Sequence, residues 1–393
     1  MRRLLALTAS VLALTAAGAG ISSGAERAPH RAAAGTSGLG IHHVFVIVLE
    51  NESSTSTYLH NPNPYLGKVL QQQGTLLTNY YGTGHVSLDN YISMISGQAA
   101  NPMTSSDCQI YLDFNGSTAP ASLNGSGQAL GVGCVYPPNV MTLGNQLSAN
   151  HVSWRGYMDS MGNVPSREQT RCGVPHTDQL GRDDTQSATA KDQYAARHNP
   201  FVYFHSLLDS GLCRKHVVPL TGLATDLKQA STTPHFAFIT PDLCNDGHDT
   251  NCAGTDAKGK KYGGLKSVDD FLSVWVPRIE HSPSWHQGGL LIIVSDESAT
   301  SDSSSCCGEK AGPSDPFPGI SGPGGGKVGA LVIGRCVAPG KRDTTPYNHY
   351  SLLRSLEDIF GITTGGTDGR GHLGYAAASG LKSFGRDVFS ACS

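Results

Sequence analysis

Four runs of consecutive apolar residues interrupt a chain that is otherwise rich in glycine and polar side chains. They are HVFVIVL at 43–49, HFAFIT at 235–240, GGLLIIVS at 288–295 and VGALVIG at 328–334. Continuous apolar runs of this length, bounded by Gly and Pro, are typical of strands covered on both faces. The pattern predicts a parallel sheet with helices on either side.

Segments with the apolar spacing of helices lie between these runs. The spacing predicts helices over 64–79 and over 346–360, the second beginning at a proline. A further helix is predicted near 268–280, capped by Ser267 and bent by Pro277. The alternation of strands and helices predicts an α/β fold.

The N-terminal residues indicate where the protein is sent. Two arginines precede an apolar run over 4–17, and small residues follow it. This pattern is typical of a secretory signal peptide over 1–25, the alternative being an apolar N-terminal anchor. The run is too short to span a bilayer, and no later segment is long enough. We therefore expect a secreted protein with a flexible lead-in over 26–40 and a single domain over 41–393.

Composition narrows the class of partner. The formal net charge is −3, and charged residues make up 15% of the chain. Nucleic-acid-binding surfaces and polybasic membrane patches both need clustered positive charge. We therefore expect no nucleic-acid partner, and the sequence leaves the oligomeric state open.

Ten cysteines in a secreted chain indicate several disulfides. We hypothesise three local pairs, which are Cys108 with Cys134, Cys172 with Cys213, and Cys244 with Cys252. The adjacent Cys306 and Cys307 are expected to bond to different partners. No C-x-x-C pair occurs, which argues against a thiolate zinc site. Residues from about 101 to 196, rich in Ser, Gly, Asn and Pro, are predicted to form a disulfide-tied, loop-rich insertion over the sheet edge.

Acidic residues directly follow three of the predicted strands. Glu50 and Asn51 follow the first, Asp242 the second, and Asp296 and Glu297 the third. Because the carboxyl ends of strands share one edge in an α/β sheet, these side chains are expected to face one crevice. So many carboxylates in one cleft are costly unless a cation lies among them. The pattern therefore predicts a metal site.

The identity of that metal depends on which other groups join the carboxylates. An oxygen-dominated ligand set suits Mg²⁺, Mn²⁺ or Ca²⁺. Three histidines, His85, His248 and His349, lie beside the other candidates and could tilt the choice toward zinc or iron. The residues alone do not decide between these ions.

The stretch YYGTGHVSLDNYISMISG at 80–97 gathers His85, Ser87 and Asn90 in a turn ahead of a predicted helix that stops at Gly97. Ser87 at a helix start could simply cap the helix. Alternatively it could be a nucleophile whose oxygen is stabilised by a metal and by the helix N-terminus, where phosphate also binds. Asn90, one turn later, could donate its amide to a phosphoryl oxygen.

The order of these motifs resembles a known family. The segment SLDNYISMISG is similar to the nucleophile segment of the alkaline-phosphatase superfamily. The set E-N, H-V-S-L-D-N, P-D-x-x-x-x-G-H, S-D-E and P-Y-N-H-Y-S-L-L resembles one branch of it, the phosphoesterase family of secreted acid phosphatases and non-specific phospholipases C. The resemblance runs from about His42 to Phe360. It implies an alkaline-phosphatase-like fold, with a mostly parallel sheet flanked by helices on both faces.

The resemblance also implies roles for the candidate residues. Ser87 would attack phosphorus and form a phosphoserine that water hydrolyses, and Asn90 would hold a non-bridging oxygen. The positions expected to hold the metal are matched by Glu50, Asn51, Ser87, Asp296 and Glu297. The other side of the pocket, where relatives place a second metal or contact the phosphate, is matched by His85, Asp242, His248 and His349. RHNPFVYF at 197–204 also resembles this branch, and its His198 is expected to reach the cleft.

The sequence departs at two positions from the pattern of relatives that bind two metal ions, and both departures bear on how many ions this chain binds. Asn51 and Glu297 stand where strong Asp and His ligands are expected. We therefore expect one divalent ion, which could be Mg, Mn, Ca, Zn or Fe, and the departures count against a second ion.

These features together predict a secreted, metal-dependent phosphomonoesterase of the acid phosphatase type. Its partner would be a phosphate-ester substrate, with phosphoinositides as one specific possibility. A phospholipase C-type phosphodiesterase is the alternative within the family. A non-catalytic secreted module that holds a structural Ca²⁺ is the alternative from another class.

Overall fold

The computed structural model describes residues 38–392, and an eight-stranded sheet lies at its centre. In chain order the strands are β1 His43–Leu49, β2 Thr75–Leu77, β3 Tyr80–Tyr81, β4 Trp154–Met158, β5 Val217–Pro219, β6 Phe236–Thr240, β7 Gly289–Ser295, β8 Ala330–Gly334, β9 Lys341–Asp343 and β10 Tyr347–Asn348. The sheet has the order β5-β4-β6-β1-β7-β8-β2-β9, and β3 pairs with β10 separately. The predicted signal peptide and most of the predicted lead-in lie outside the described residues.

The four predicted strands are present as β1, β6, β7 and β8, and the mostly parallel α/β architecture is confirmed. β1 lies between β6 and β7 and is parallel to both. β8 differs, because it runs antiparallel to β7 and to β2. The connection from β7 to β8 contains no helix that could make a parallel crossover. The expectation of a parallel arrangement is therefore wrong for this one strand.

Helices cover both faces of the sheet. They are α1 Ser87–Ser96, α2 Leu143–Ala149, α3 His205–Leu208, α4 Leu212–His216, α5 Thr221–Asp226, α6 Gly264–Glu280, α7 Pro283–His286 and α8 His349–Ile359. Alternate side chains of β1 enter two different cores. Val44 and Val46 pack in the core that contains apolar residues of α1, α2 and α8. Phe45 and Ile47 pack in the core that contains those of α6. Burial on both faces explains why β1 is a continuous apolar run.

The predicted helix over 64–79 is present only in its first half, as a π-helical turn over Tyr65–Val69 and a 3₁₀ turn over Leu70–Gln72. The chain then enters β2, so the second half of the prediction is wrong. Leu66 and Leu70 are buried, as the apolar spacing requires, but pairing with β8 and β9 takes the residues that follow into the sheet. Local periodicity could not reveal that pairing, because both partner strands lie far along the chain.

The other two predicted helices are present with different starts. α6 begins three residues before Ser267, whose hydroxyl accepts a hydrogen bond from the Gly263 N–H (2.8 Å) inside the first turn. α6 also contains Pro277 near its C-terminal end. α8 begins at His349, and the Asn348 side chain caps it by accepting from the Ser351 N–H (3.0 Å).

The three local disulfides are present as predicted. The prediction for the adjacent cysteines is wrong, because Cys306 is bonded to Cys307 itself. Cys307 has a left-handed φ of 69°, which turns the chain between the two residues. Cys336 is disulfide-bonded as well.

The predicted insertion over 101–196 is less separate from the sheet than expected. Its middle supplies α2 and β4, and β4 pairs with β5 and β6. The loop-rich parts lie on either side of these elements. Among the described residues, no helix combines the length and the apolar character needed to cross a membrane.

Candidate active site

The carboxyl ends of β1 and β7 bring two buried acids side by side. Leu49 pairs with Ser295 in register, so Glu50 and Asp296 follow at the same edge of the sheet. Both acids are fully buried. The Asn51 N–H donates to Asp296 Oδ1 (3.0 Å), whereas Asn51 itself is exposed. Asn51 thus contacts the site through its backbone.

Ser87 is the first residue of α1 and points its hydroxyl at this edge. Its Oγ donates to Glu50 Oε2 at 2.7 Å. The hydroxyl does not cap the helix, because the cap position is Val86 and the Leu88 N–H is bound by Asp107 Oδ1 (3.0 Å). Of the two interpretations of this serine, the structure removes the capping one.

Tyr91, one turn further along α1, donates its hydroxyl to the other carboxylate oxygen of Glu50. Its ring stacks on His198, with 5.4 Å between centroids and 11° between planes. The α1 helix therefore holds Glu50 through two hydroxyls and supports His198 through an aromatic face.

Glu50, His198 and Asp246 form a group of potential metal ligands. His198 Nε2 lies 3.3 Å from Glu50 Oε2, and His198 Nδ1 lies 3.2 Å from Asp246 Oδ2. Each residue offers one ligand atom, and these atoms all lie within 4.8 Å of one another. All three side chains are buried.

Several of these buried atoms have no hydrogen-bond partner within the described residues. They are both ring nitrogens of His198, Oδ2 of Asp246 and Oδ2 of the neighbouring Asp296. Buried polar atoms normally have hydrogen-bond partners. Several buried polar atoms that point toward one another without such partners are expected where an ion binds, because the ion would compensate them. A set of two carboxylates and an imidazole fits a divalent ion, and the imidazole favours zinc or iron over calcium.

The electrostatics of the group lead to the same conclusion. Burial, then the charges of Asp296 and Asp246, raise the pKa of Glu50 well above its usual value. Burial likewise raises the pKa of Asp246 strongly and that of Asp296 to about 6. Burial and the nearby Arg197 lower the pKa of His198. In the absence of a cation, burial thus disfavours the ionised forms of the three carboxyl groups and of His198. A bound divalent ion would stabilise the ionised carboxylates and so remove this energetic cost.

A backbone contact fixes Asp246 beside Glu50. The Glu50 N–H donates to the Asp246 carbonyl at 2.9 Å. The next residue, Gly247, has φ +112°, and a Cβ there would lie 3.0 Å from the Glu50 carbonyl oxygen. A glycine is therefore needed where the loop after β6 passes β1.

His85 and Glu297 form a separate pair. His85 Nδ1 contacts Glu297 Oε2, and His85 Nε2 lies 3.0 Å from the carbonyl oxygen of Asp302. Burial, followed by the charges of Asp296 and Asp107, raises the pKa of Glu297 to about 10. The structure therefore engages Glu297 with a histidine rather than with the Glu50 group.

Asn90 is committed to the turn that precedes it. Its Oδ1 accepts from the N–H groups of Thr83 (2.8 Å) and Gly84 (3.1 Å). Its Nδ2 donates to the carbonyls of Gly84 (2.8 Å) and Val86 (3.1 Å). The amide thus holds the turn that carries His85 and has no polar atom left for a phosphoryl oxygen.

His349 is buried with both nitrogens engaged. Its Nε2 donates to the Asp296 carbonyl (2.5 Å), and its Nδ1 lies 3.1 Å from the Tyr80 hydroxyl. Burial lowers the pKa of His349 to about 4, so the ring is neutral near neutral pH. In this structure it supports the backbone of Asp296.

Asp242 and His248 lie on either side of Asp246 in the loop after β6. Asp242 accepts from the hydroxyl of Ser160 (2.6 Å) and from Asn245 Nδ2 (2.8 Å), which places it outside the Glu50 group. His248 is partly exposed, and its ring centroid lies 5.9 Å from that of His198. Asp246, rather than Asp242, is thus the acid of this loop that joins the Glu50 group.

Four residues near the site were not singled out from the sequence. They are Tyr91, Asp107, Arg197 and Asp246. Arg197 is buried, its Nη2 lies 3.3 Å from His248 Nε2, and its Nε lies 3.7 Å from Asp107 Oδ2. The sequence offered a signal for two of these residues. Arg197 is next to His198, which was expected to reach the cleft, and Asp246 lies within the motif PDLCNDGHD. Nothing local marked Asp107, which comes from the predicted insertion.

The fold and the site define an α/β protein with a serine hydroxyl, at a helix N-terminus, directed into a buried group of metal-ligating side chains. Comparison with known proteins agrees with this class. The chain belongs to the Phosphoesterase family, whose model matches residues 43–363.

Named relatives include fungal acid phosphatases. A phosphate-repressible acid phosphatase of Penicillium chrysogenum is 25% identical over 296 residues, which are 75% of this chain and 53% of that protein. An acid phosphatase of Aspergillus fumigatus is 22% identical over 344 residues, which are 87% and 60% of the two chains. The chain thus spans little more than half the length of these relatives.

Solved structures that match this chain include one described as a protein of the alkaline phosphatase superfamily and one described as a sulfatase. A Vibrio parahaemolyticus protein of that superfamily gives a TM-score of 0.44 at 13% identity, covering 82% of this chain and 66% of the other. The PsFucS1 sulfatase from Pseudoalteromonas sp. gives 0.46 at 12% identity, covering 89% and 76%.

Proposed function

We propose that this chain is a secreted, metal-dependent phosphomonoesterase of the acid phosphatase type, with Ser87 as its nucleophile. The observation that carries the proposal is the Ser87 hydroxyl, which is not used as a helix cap and lies 2.7 Å from Glu50 within the Glu50–His198–Asp246 group. The names of the fungal relatives support hydrolysis of phosphate monoesters. Secretion is supported by the predicted signal peptide and by the disulfides.

In the proposed reaction, the Ser87 hydroxyl gives up its proton to solvent water, and its Oγ attacks phosphorus in line as the bond from phosphorus to the leaving oxygen breaks. The leaving alkoxide takes up a proton, for which the partly exposed His248 is the candidate donor. Water then attacks the phosphoserine, and phosphate is released with the serine restored. A divalent ion held by Glu50, His198 and Asp246 would lower the pKa of the serine hydroxyl and neutralise phosphoryl charge.

The chain's own groups have the remaining roles. The N-terminus of α1 directs its positive dipole at an incoming phosphate, whereas its Leu88 N–H is already bound by Asp107. Arg197 adds a fixed positive charge beside His248. Asn90 positions the turn before Ser87 through the four hydrogen bonds described above. Phosphoryl transfer needs this positioning and charge neutralisation more than covalent chemistry from the protein.

A phospholipid or phosphoinositide ester is the second candidate substrate. Two large apolar residues, Phe317 and Ile320, are 65% and 60% exposed on the loop between β7 and β8. The Pro318 carbonyl on that loop accepts from the His85 N–H at 2.8 Å. Exposed apolar side chains so near the candidate active site favour a substrate presented at a lipid interface.

The experiment measures phosphate release from p-nitrophenyl phosphate, a soluble monoester, and from vesicles containing a phosphoinositide. Phosphatidylcholine vesicles are assayed for phosphocholine, because a phospholipase C cleaves that diester without releasing phosphate. Ser87→Ala should lower kcat by at least about 10³-fold, and chelation should abolish activity. Ser96→Ala is the matched control, because this buried serine lies on the same helix but donates to the Ile92 carbonyl (2.7 Å). It should keep wild-type activity.

Acid quenching during turnover should trap a phosphate ester on Ser87. A Ser87→Ala variant with wild-type activity would reject this nucleophile. A folded, metal-loaded protein inactive on every substrate would favour the non-catalytic binding module.

A further inference from the structure

Asp107 places a carboxylate at the N-terminus of α1, beside the candidate nucleophile. Its Oδ1 accepts a hydrogen bond from the Leu88 N–H at 3.0 Å, and Leu88 directly follows Ser87 in the chain. Its Oδ2 lies 3.7 Å from Nε of the buried Arg197. The carboxylate thus lies between a backbone donor of α1 and a fixed positive charge of the candidate active site.

A phosphate that reacts with Ser87 would need the same two partners. For in-line attack, the phosphorus atom must lie about 3–3.5 Å from Ser87 Oγ. The oxygens of that phosphate would then lie beside the N–H of the next residue, Leu88, at a helix end that favours anions. The guanidinium of Arg197 offers the planar pair of donors that suits phosphate. A carboxylate of this chain therefore holds the position that the substrate anion would take.

The charges around the Asp107 carboxylate are those that a phosphate would meet. Burial raises the pKa of Asp107, while Arg197, then the hydrogen bond from α1 and then His248 oppose that rise. On the other side, burial is the main cause of the raised pKa of Asp296, and the charge of Asp107 adds to it. Asp107 therefore lies within electrostatic range of both the cationic and the acidic groups of the candidate active site.

The backbone of Asp107 is fixed on both sides, whereas its side chain reaches solvent. Its N–H donates to the Thr104 carbonyl (3.1 Å), and its carbonyl accepts from Gln186 Nε2 (3.1 Å). The next residue, Cys108, is disulfide-bonded to Cys134. The Asp107 side chain is 18% exposed. The carboxylate can therefore rotate outward about its side-chain bonds while the backbone stays in place.

We propose that Asp107 is an internal competitor for the phosphate position and that a bound phosphate group displaces its carboxylate. This inference rests on the proposed function, because it takes Ser87 as the group that the phosphate approaches. Displacement exchanges the contacts of the carboxylate with Leu88 and Arg197 for contacts of the phosphate. Asp107 therefore lowers the affinity of the site for phosphate and favours release of the phosphate product. A residue that only capped α1 would have no such effect once an uncharged acceptor replaced the carboxylate.

The test is isothermal titration calorimetry of the full-length protein, as purified, with inorganic phosphate as the probe. Asp107→Asn keeps an oxygen acceptor for the Leu88 N–H and removes the negative charge. It should bind phosphate at least about tenfold more tightly than the wild type, because a like charge next to the bound anion is lost. Asp113→Asn is the matched control, since this acid lies in the same predicted insertion but contacts His205 (3.0 Å). It should bind phosphate as the wild type does.

A second variant keeps the test decisive if Asp107→Asn fails to fold. Asp107→Gly suits the left-handed φ of 54° at this position, frees the Leu88 N–H and should also tighten phosphate binding. In hydrolysis of p-nitrophenyl phosphate, both variants should lower KM together with the inhibition constant of product phosphate. The proposal is overturned if a folded Asp107 variant binds phosphate no more tightly than the wild type, or if Asp113→Asn shows the same gain. Tighter phosphate binding in a protein that hydrolyses no ester would refute the proposed function and still support this inference.

Discussion

Replacing Tyr91 by Phe tests whether Glu50 is a metal ligand held in place by α1, the helix that carries Ser87. The substitution removes one hydroxyl and keeps the ring that stacks on His198. Glu50 would retain the hydrogen bond from Ser87 and lose the donor to its other oxygen. The carboxylate would then be free to rotate away from His198 and Asp246.

The size of the effect follows from the number of groups that hold Glu50. The side-chain hydroxyls of Ser87 and Tyr91 donate to its two carboxylate oxygens, so the variant loses one of these two restraints. Loss of a group that orients a metal ligand costs about 10- to 100-fold in metal affinity or activity. This corresponds to about 1.4 to 2.8 kcal/mol at 1.4 kcal/mol per factor of ten.

The assay is calorimetric titration of the apoprotein with the ion that metal analysis finds in the purified protein. Tyr58→Phe is the matched control, because Tyr58 is also buried and donates to the Ile293 carbonyl (2.9 Å) on the other face of the sheet. Both variants should lose a similar amount of folding stability, about 1 kcal/mol for one hydrogen bond. Only Tyr91→Phe should lose metal affinity.

Unchanged metal affinity in Tyr91→Phe would refute the reasoning, because Glu50 would then not depend on this contact or would not bind the ion. An equal loss in Tyr58→Phe would also refute it, since the effect would then be one of general stability.

Two further predictions concern regions outside the Glu50 group. Burial opposes protonation of His372, but its hydrogen bonds to Asp358 and Asp368 outweigh burial and raise the pKa of His372 in the folded protein. The protonated ring therefore stabilises the fold fully below about pH 6.5, the pKa of an unfolded histidine. This stabilisation is lost as pH rises through the higher pKa of the folded state. His372→Asn should therefore cost about 1 kcal/mol at pH 5 and less at pH 9 in chemical denaturation, and an equal cost at both pH values would contradict this. Phe317→Ser should lower activity on phosphoinositide vesicles about tenfold, with hydrolysis of p-nitrophenyl phosphate unchanged, because an apolar side chain contributes about 1.5 kcal/mol when an interface buries it. Leu180→Ser, which alters another exposed apolar residue, should change neither activity, and equal losses from both variants would rule out a specific interfacial loop.

The sheet could be predicted from the sequence because its strands are buried on both faces. Continuous apolar runs are the direct result of that burial, and all four became strands. The antiparallel direction of β8 and the formation of β2 within residues 64–79 could not be predicted in the same way. Both depend on which distant strand supplies the hydrogen-bond partners, and β2 pairs with β8 and β9 across more than 250 positions.

The candidate site was predictable to the extent that it follows strand ends. Glu50 and Asp296 meet because β1 and β7 are adjacent and parallel. The apolar runs predicted both strands and a shared edge for their carboxyl ends, but not the order of the strands. Asp246 was missed because Asp242 comes directly after its strand, whereas Asp246 comes four residues later. The chain turns back over those four residues, and the Glu50 N–H is bound by the Asp246 carbonyl. Proximity to a strand end in sequence is therefore a weaker guide than the course of the loop that follows.

The segment H-V-S-L-D-N shows that the residues of one sequence motif can have different structural roles. In the sequence its polar residues look like one catalytic unit, yet each has a different partner. Ser87 contacts Glu50 from the end of β1, whereas His85 contacts Glu297 from the end of β7. Asn90 contacts neither acid, and its amide forms hydrogen bonds with the backbone of the turn itself. A hydroxyl can face the Glu50 group from a helix N-terminus only if another residue satisfies the backbone of the preceding turn. The Asn90 amide, which resembles a substrate ligand in the sequence, therefore fixes the direction of the Ser87 hydroxyl.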